Sequence, residues 1–270
     1  MGLPARERFV CFRLGPIPSE EVSFTMSRHL FSSLHAYLLR MIAISAAALQ
    51  LLVPSLRSGA TAEAPRVFRY LAIGNSITRH PVCDIWWNEI GMAASTADYD
   101  YFHIVTRYLN EAYGDVEAKA VNFVEWETAK QDRASTYGVI EPELSEDLDL
   151  ITVQLSENAS THKGLGKDVS ALLQYLKTKC PRARIILVDD FWDKDKSKEK
   201  RKAAQAENVA FANLKAIRGN PAFMANVGDT VYDADGAPHV ISREDVARHP
   251  NNAGMLFISQ IIIQQIERLP

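Results

Sequence analysis

Apolar positions along the chain fall either in short unbroken runs or in helical stripes, and the two kinds of segment alternate. Residues 67–74 (VFRYLAIG) are an apolar run that ends at Gly74, the pattern of a buried strand. Residues 99–113 carry Phe102, Val105, Tyr108 and Leu109 on one helical stripe, and Gly114 stops it. Alternation over residues 116–124 predicts a second strand, and residues 148–155 a third. Residues 169–179 read as a helix with Leu172, Leu173 and Leu176 inward, ended by Pro181. Residues 184–188 read as a fourth strand. A long helix is predicted over 197–217, a short fifth strand over 223–227, and a closing helix over 254–269. Several strands are apolar throughout, which a sheet covered on both faces requires. The pattern therefore predicts an α/β fold, a three-layer α/β/α sandwich around a central parallel sheet. In such sheets ligands bind beyond the carboxyl ends of the strands.

The first sixty-odd residues break this pattern. Residues 41–53 (MIAISAAALQLLV) form an apolar run of signal-peptide length, preceded by Arg28 and Arg40. Ala60-Thr61-Ala62 then supplies a small-residue cleavage site. The run is shorter than the roughly 20 apolar residues of a comfortable membrane span, although an uncleaved anchor is the alternative. Residues 1–25 fit no signal peptide, and translation from Met26 would account for them. The chain thus divides into an N-terminal extension with a signal peptide, 1–62, and one sizeable domain, 63–270. Export to the periplasm or medium is expected.

Composition narrows the function classes. Of 270 residues, 47% are hydrophobic and 23% charged, ordinary for one globular domain. The net charge of −3 implies no general attraction to nucleic acid or to an anionic membrane. The basic stretch KDKSKEKRK at 194–202 lacks interleaved aromatics and reads as a solvated helix start. Beyond the extension, two cysteines remain, Cys83 and Cys180, which either pair or stay as separate thiols. His80, Cys83 and Asp84 match no zinc spacing, and no metal is implied.

The candidate chemistry lies after the strands. Gly74-Asn75-Ser76-Ile77-Thr78 follows the first strand, a small turn from which Ser76 can project and whose N–H groups can face an oxyanion. A serine needs a base, and His249, in Arg248-His249-Pro250-Asn251 before the last helix, supplies an imidazole. His80 is a rival base by sequence proximity. Gln154-Leu155-Ser156-Glu157-Asn158 follows the third strand and offers a side-chain amide. Trp86 and Trp87 are adjacent, so one is expected in the core and the other is free to line a cleft.

These blocks resemble the SGNH/GDSL hydrolase family. AIGNSIT is similar to its first block, with Asn75 where Asp is most common. HPN matches its last block, and QLSEN its third, with Ser156 in place of the usual Gly. The resemblance implies a flavodoxin-like sandwich, Ser76 as nucleophile, His249 as base, and an oxyanion hole from the Ser76 N–H and the Asn158 amide. The family's carboxylate stands three residues before the histidine, where this chain has Val246. Asp245, one position off, or a backbone carbonyl is left to orient the ring. A third oxyanion N–H is expected either near Trp126-Glu127 or at Gly91. Asn158-Ala159-Ser160 also fits a glycosylation sequon, which an oxyanion amide could not serve. The implied activity is hydrolysis of a carboxylic ester on a small molecule, glycan or lipid, with no cofactor, no nucleic acid and no stable membrane insertion once the N-terminal segment is removed. O-acyl transfer with the same residues, or a non-catalytic carbohydrate-binding domain, are the alternatives.

Overall fold

The structure, a computed structural model, describes residues 66–268. The extension, the apolar run at 41–53 and the cleavage site lie outside the described residues.

Five strands, β1 (Phe68–Gly74), β2 (Val116–Asn122), β3 (Leu150–Gln154), β4 (Arg184–Val188) and β5 (Ala210–Ala212), form one sheet. Its order is β2-β1-β3-β4-β5 and every pairing is parallel. Between them run α1 (Tyr101–Tyr113), a short α2 (Val124–Thr128), α3 (Leu165–Lys179) and α4 (Lys194–Ala206), and after them α5 (Glu244–Ala247) and α6 (Asn252–Arg268). A small antiparallel hairpin pairs β6 (Thr230–Tyr232) with β7 (Pro238–Val240).

Side chains alternate across each strand, so one strand feeds two cores. Tyr70 and Ala72 of β1 pack with Val105 and Leu109 of α1 and with Met255, Ile258 and Ile262 of α6. Leu71 and Ile73 pack with Leu172, Leu173 and Leu176 of α3 and with Ala203 and Ala204 of α4. Each fully buried aliphatic side chain stabilises the fold by roughly 1.5–3 kcal/mol relative to exposure. Two such cores, one per sheet face, make the three layers that the apolar pattern predicts. Among the described residues, no helix is long and apolar enough to cross a membrane.

Two expected elements are corrected. The helix expected over 197–217 ends at Ala206, because Asn208 takes a left-handed conformation at φ 49°. Val209 N–H then bonds the Ala204 carbonyl and Asn208 N–H the Gln205 carbonyl, a Schellman stop with Asn in the glycine position. The chain beyond it pairs with β4 as β5, so the fifth strand is 210–212 and not 223–227. Residues 221–223 instead form a 3₁₀ turn.

β1 lies between β2 and β3, where the direction of strand addition reverses. Gly74 pairs with Asn122 on one side and with Gln154 on the other. The loops after β1, β2 and β3 therefore emerge side by side, at the switch point where α/β sheets hold ligands. Gly74 has no room for a side chain. A Cβ there would sit 1.8 Å from Thr78 Oγ1 and 2.8 Å from the Gln154 carbonyl oxygen. Gly74→Ala is expected to cost about 1–3 kcal/mol of stability. The measurement is the urea midpoint at unchanged slope; a wild-type midpoint would contradict this close packing.

Candidate active site

Ser76 sits at the start of the turn after β1, where Thr78 N–H and Arg79 N–H both bond the Asn75 carbonyl. Asn75 is fully buried, and its Oδ1 accepts the Ile77 N–H at 2.9 Å. That bond holds the tight turn and lifts Ser76 toward the sheet's open end. There Ser76 Oγ lies 2.8 Å from His249 Nε2, across 173 residues of chain. The structure thus brings Ser76 and His249 together. His80 lines the same cavity, but its Nδ1 faces the Pro81 carbonyl at 2.8 Å.

The base is fixed by the loop between α5 and α6. Asn251 Nδ2 donates to the Ala222 and Met224 carbonyls, and Asn251 Oδ1 accepts the Gly254 N–H at the start of α6. Ala225 N–H bonds the His249 carbonyl at 3.0 Å. His249 Nδ1 faces the Val246 carbonyl at 3.1 Å. A carbonyl only accepts, so Nδ1 carries the proton and Nε2 presents its lone pair to the Ser76 hydroxyl. Asp245 is therefore corrected as the orienting acid. Its carboxylate is held by Arg243 Nε at 2.9 Å and Nη2 at 2.6 Å, which lowers its pKa to about 2. Val246, three residues before His249, orients the ring through its main chain. Burial lowers the His249 pKa to about 4, against a smaller upward pull from the Val246 and Asp245 carbonyls.

The oxyanion side is built around Glu127 of α2, whose carboxylate is fully buried. It accepts from Asn75 Nδ2 at 3.0 Å, from the Ser156 N–H, from the Asn158 N–H at 3.4 Å and from Asn158 Nδ2 at 2.6 Å. An amide carries two Nδ2 hydrogens. With one on Glu127, the other is left for the cavity that Asn158 lines. The Ser76 N–H donates to no group among the described residues. The third N–H expected from Gly91 is corrected, because Gly91 N–H bonds Asp100 Oδ2 at 3.0 Å. Trp126 N–H is likewise taken, by the Phe123 carbonyl. Glu127 serves the site through its carboxylate, as a positioning residue. Ser156, where the family has Gly, is held at φ 119°, a region disfavoured for any side chain. Its Oγ donates to Asp190 Oδ2 at 2.6 Å, which offsets part of that strain.

Beneath this loop lies a layer of buried charge that composition did not reveal. Lys200 is fully buried and its Nζ donates to the Leu155 carbonyl; Lys196 Nζ donates to the Glu157 carbonyl at 3.0 Å. The basic stretch is thus corrected: four-residue spacing puts Lys196 and Lys200 on the inner face of α4. Lys200 is close enough to act on the Glu157 carboxyl, which also feels Asp190 and Glu127. Burial first, and then the Asp190 and Glu127 carboxylates, push the Glu157 pKa up to about 8, opposed by Lys200.

The cavity measures about 320 Å³ and is lined by Ser76, Asn158, Met92, Trp192 and His249 among others. Trp192, just past β4, is its aromatic wall and was legible only from its place after a strand end. Neither tryptophan of the 86–87 pair lines it: Trp86 is in the core, and Trp87 stacks on His239 with centroids 4.6 Å apart. Cys83 and Cys180 are both free thiols, the first exposed and the second buried.

Removing Lys200 takes a positive charge away from Glu157 and a donor away from the Leu155 carbonyl. Lys200→Met is expected to cost about 3–5 kcal/mol, the usual penalty for breaking a buried charged cluster. Chemical denaturation measures this; a loss under about 1 kcal/mol would mean that Lys200 is uncoupled from the cluster.

No family model matches the sequence, and no curated protein matches it. Among solved structures, the chain is similar to a protein described as a GDSL-like lipase from Parabacteroides merdae, at 15% identity and TM-score 0.48, over 75% of this chain and 98% of that one. It is similar to an extracellular lipase from Streptomyces rimosus at 10% identity and TM-score 0.47, over 74% and 100% of the two chains. It is similar to a mutant of an acetylxylan esterase from Geobacillus stearothermophilus at 13% identity and TM-score 0.46, over 75% and 96%. These are distant likenesses, and the chemistry of the site rests on Ser76, His249 and Asn158 themselves.

Proposed function

We propose that the chain is an exported serine esterase that hydrolyses a short acyl ester, such as an acetyl group, on a glycan or another small alcohol. The observation that carries this reading is the 2.8 Å approach of Ser76 Oγ to His249 Nε2 in a cavity also lined by Asn158. His249 Nε2 accepts the hydroxyl proton as Ser76 Oγ attacks the acyl carbon. Negative charge then gathers on the carbonyl oxygen, where the Ser76 N–H and the free Asn158 Nδ2 hydrogen meet it. The imidazolium returns its proton to the departing alkoxide, leaving an acyl-serine. Water, deprotonated by the same imidazole, releases the acid. The chain supplies every group in this scheme, and the site works as a dyad with a main-chain carbonyl behind it. The cavity of about 320 Å³ suits a small acyl group better than a long lipid chain.

The test is labelling and turnover together. A fluorophosphonate probe is expected to modify Ser76, and Ser76→Ala to lose at least about 10³-fold in p-nitrophenyl acetate hydrolysis. A Ser76→Ala protein as active as wild type would end the reading.

The pH profile gives a second test. The base must be neutral, and its pKa is lowered to about 4. The acid limb of kcat/KM is therefore expected near pH 4, and not near the 6.5 of an ordinary histidine. An unfolded histidine binds its proton first, so the stability that His249 contributes is full above about 6.5 and is lost as pH falls toward 4. An acid limb at 6.5 would show that the ring is solvated in the working enzyme.

A further inference from the structure

Arg248 is exposed at the cavity edge, and the site described so far makes no use of it. Its main chain is engaged: its N–H bonds the Glu244 carbonyl, and its own carbonyl accepts Trp192 Nε1 at 3.0 Å. Its guanidinium lies over the Trp192 ring, with Cζ 5.3 Å from the centroid, and has no carboxylate partner among the described residues. Trp192 in turn meets His249 edge-on, centroids 5.4 Å apart at 89°. Base, aromatic ring and guanidinium thus form one continuous wall.

The direction of the chemistry says what lies along that wall. His249 hands its proton to the departing alkoxide, so the alcohol part of the substrate sits on the His249 side. A guanidinium stacked on an aromatic face keeps its N–H fork at the edge, shaped for a carboxylate or phosphate. The other carboxylates at the rim are already engaged. Asp245 is neutralised by Arg243. Glu157 accepts the Phe191 N–H and Asn75 Nδ2, and burial favours its uncharged form.

We propose that Arg248 makes the site selective for esters whose alcohol part carries an anion, a carboxylate or phosphate on an acylated sugar. The proposal rests on the esterase reading and goes beyond it by assigning the substrate class.

The experiment compares acetate release from an O-acetylated methyl glucoside, from the corresponding O-acetylated methyl glucuronide, and from the glucoside bearing a phosphate. Wild type is expected to show kcat/KM at least about tenfold higher for a charged substrate than for the neutral one, with the ratio shrinking as salt rises. Whichever charged substrate is preferred identifies the anion. Arg248→Met, which keeps an apolar stem over Trp192, is expected to bring the ratio to within about twofold, and Arg248→Lys to retain part of it. Equal rates in wild type, preference for the neutral ester, or an unchanged ratio in Arg248→Met would each overturn the proposal. If no ester is cleaved, the esterase reading fails by itself. Calorimetric titration of Ser76→Ala with methyl glucuronide, methyl glucoside and methyl glucoside phosphate then decides the anion site separately. Tighter binding of an anion, lost when Arg248→Met is added, supports it, and equal binding of all three overturns it.

Discussion

The Glu127 carboxylate lies between three stretches of chain that are far apart in sequence. It receives Asn75 from the turn after β1, and Ser156 and Asn158 from the loop after β3, while its own helix follows β2. Four donors on one buried carboxylate set the relative positions of the Ser76 turn and the Asn158 amide. Without that anchor, the Asn158 amide would be free to rotate and the Asn75 turn would lose a bond. A charge-assisted bond in a dry site is stronger than a neutral one, which suits a group that must hold its place while charge develops next to it.

A buried carboxylate costs several kcal/mol unless it is matched. Here the match is distributed. Lys200 and Lys196 reach up from α4, not to the carboxylates directly but to the Leu155 and Glu157 carbonyls of the same loop. They fix that loop's backbone, and Lys200 adds positive charge beside Glu157. Ser156 belongs to the same economy. Its unfavourable φ is held by a carboxylate on each side, Glu127 at its N–H and Asp190 at its hydroxyl. Strain of this kind persists where the surroundings over-determine the backbone.

In the proposed mechanism, His249 is held more lightly than Asn158. A carbonyl at Val246 selects the tautomer but carries no full negative charge with which to stabilise an imidazolium. Burial against Trp192 then keeps the ring neutral well below ordinary histidine pH.

Much of the fold was legible in the sequence, because it is encoded locally. Apolar runs marked β1, β3 and β4, alternation marked β2, helical stripes marked α1 and α3, and glycine and proline marked several of their ends. The Ser76 and His249 turns are local in the same way, and the structure brings their side chains within 2.8 Å of each other. The miss at 197–217 was also local, an asparagine doing a glycine's work at a helix stop. What the sequence by itself could not decide is which distant groups meet. The strand order places the loops after β1, β2 and β3 together. Only that placement turns Glu127 into an anchor, turns two lysines of a polar helix inward, and decides for the Val246 carbonyl over the Asp245 carboxylate at His249. Periodicity reports which face of an element is buried; it carries no information about which polar group waits on the other side. Those pairings are settled when two cores close on one sheet and every buried donor and acceptor must find a partner.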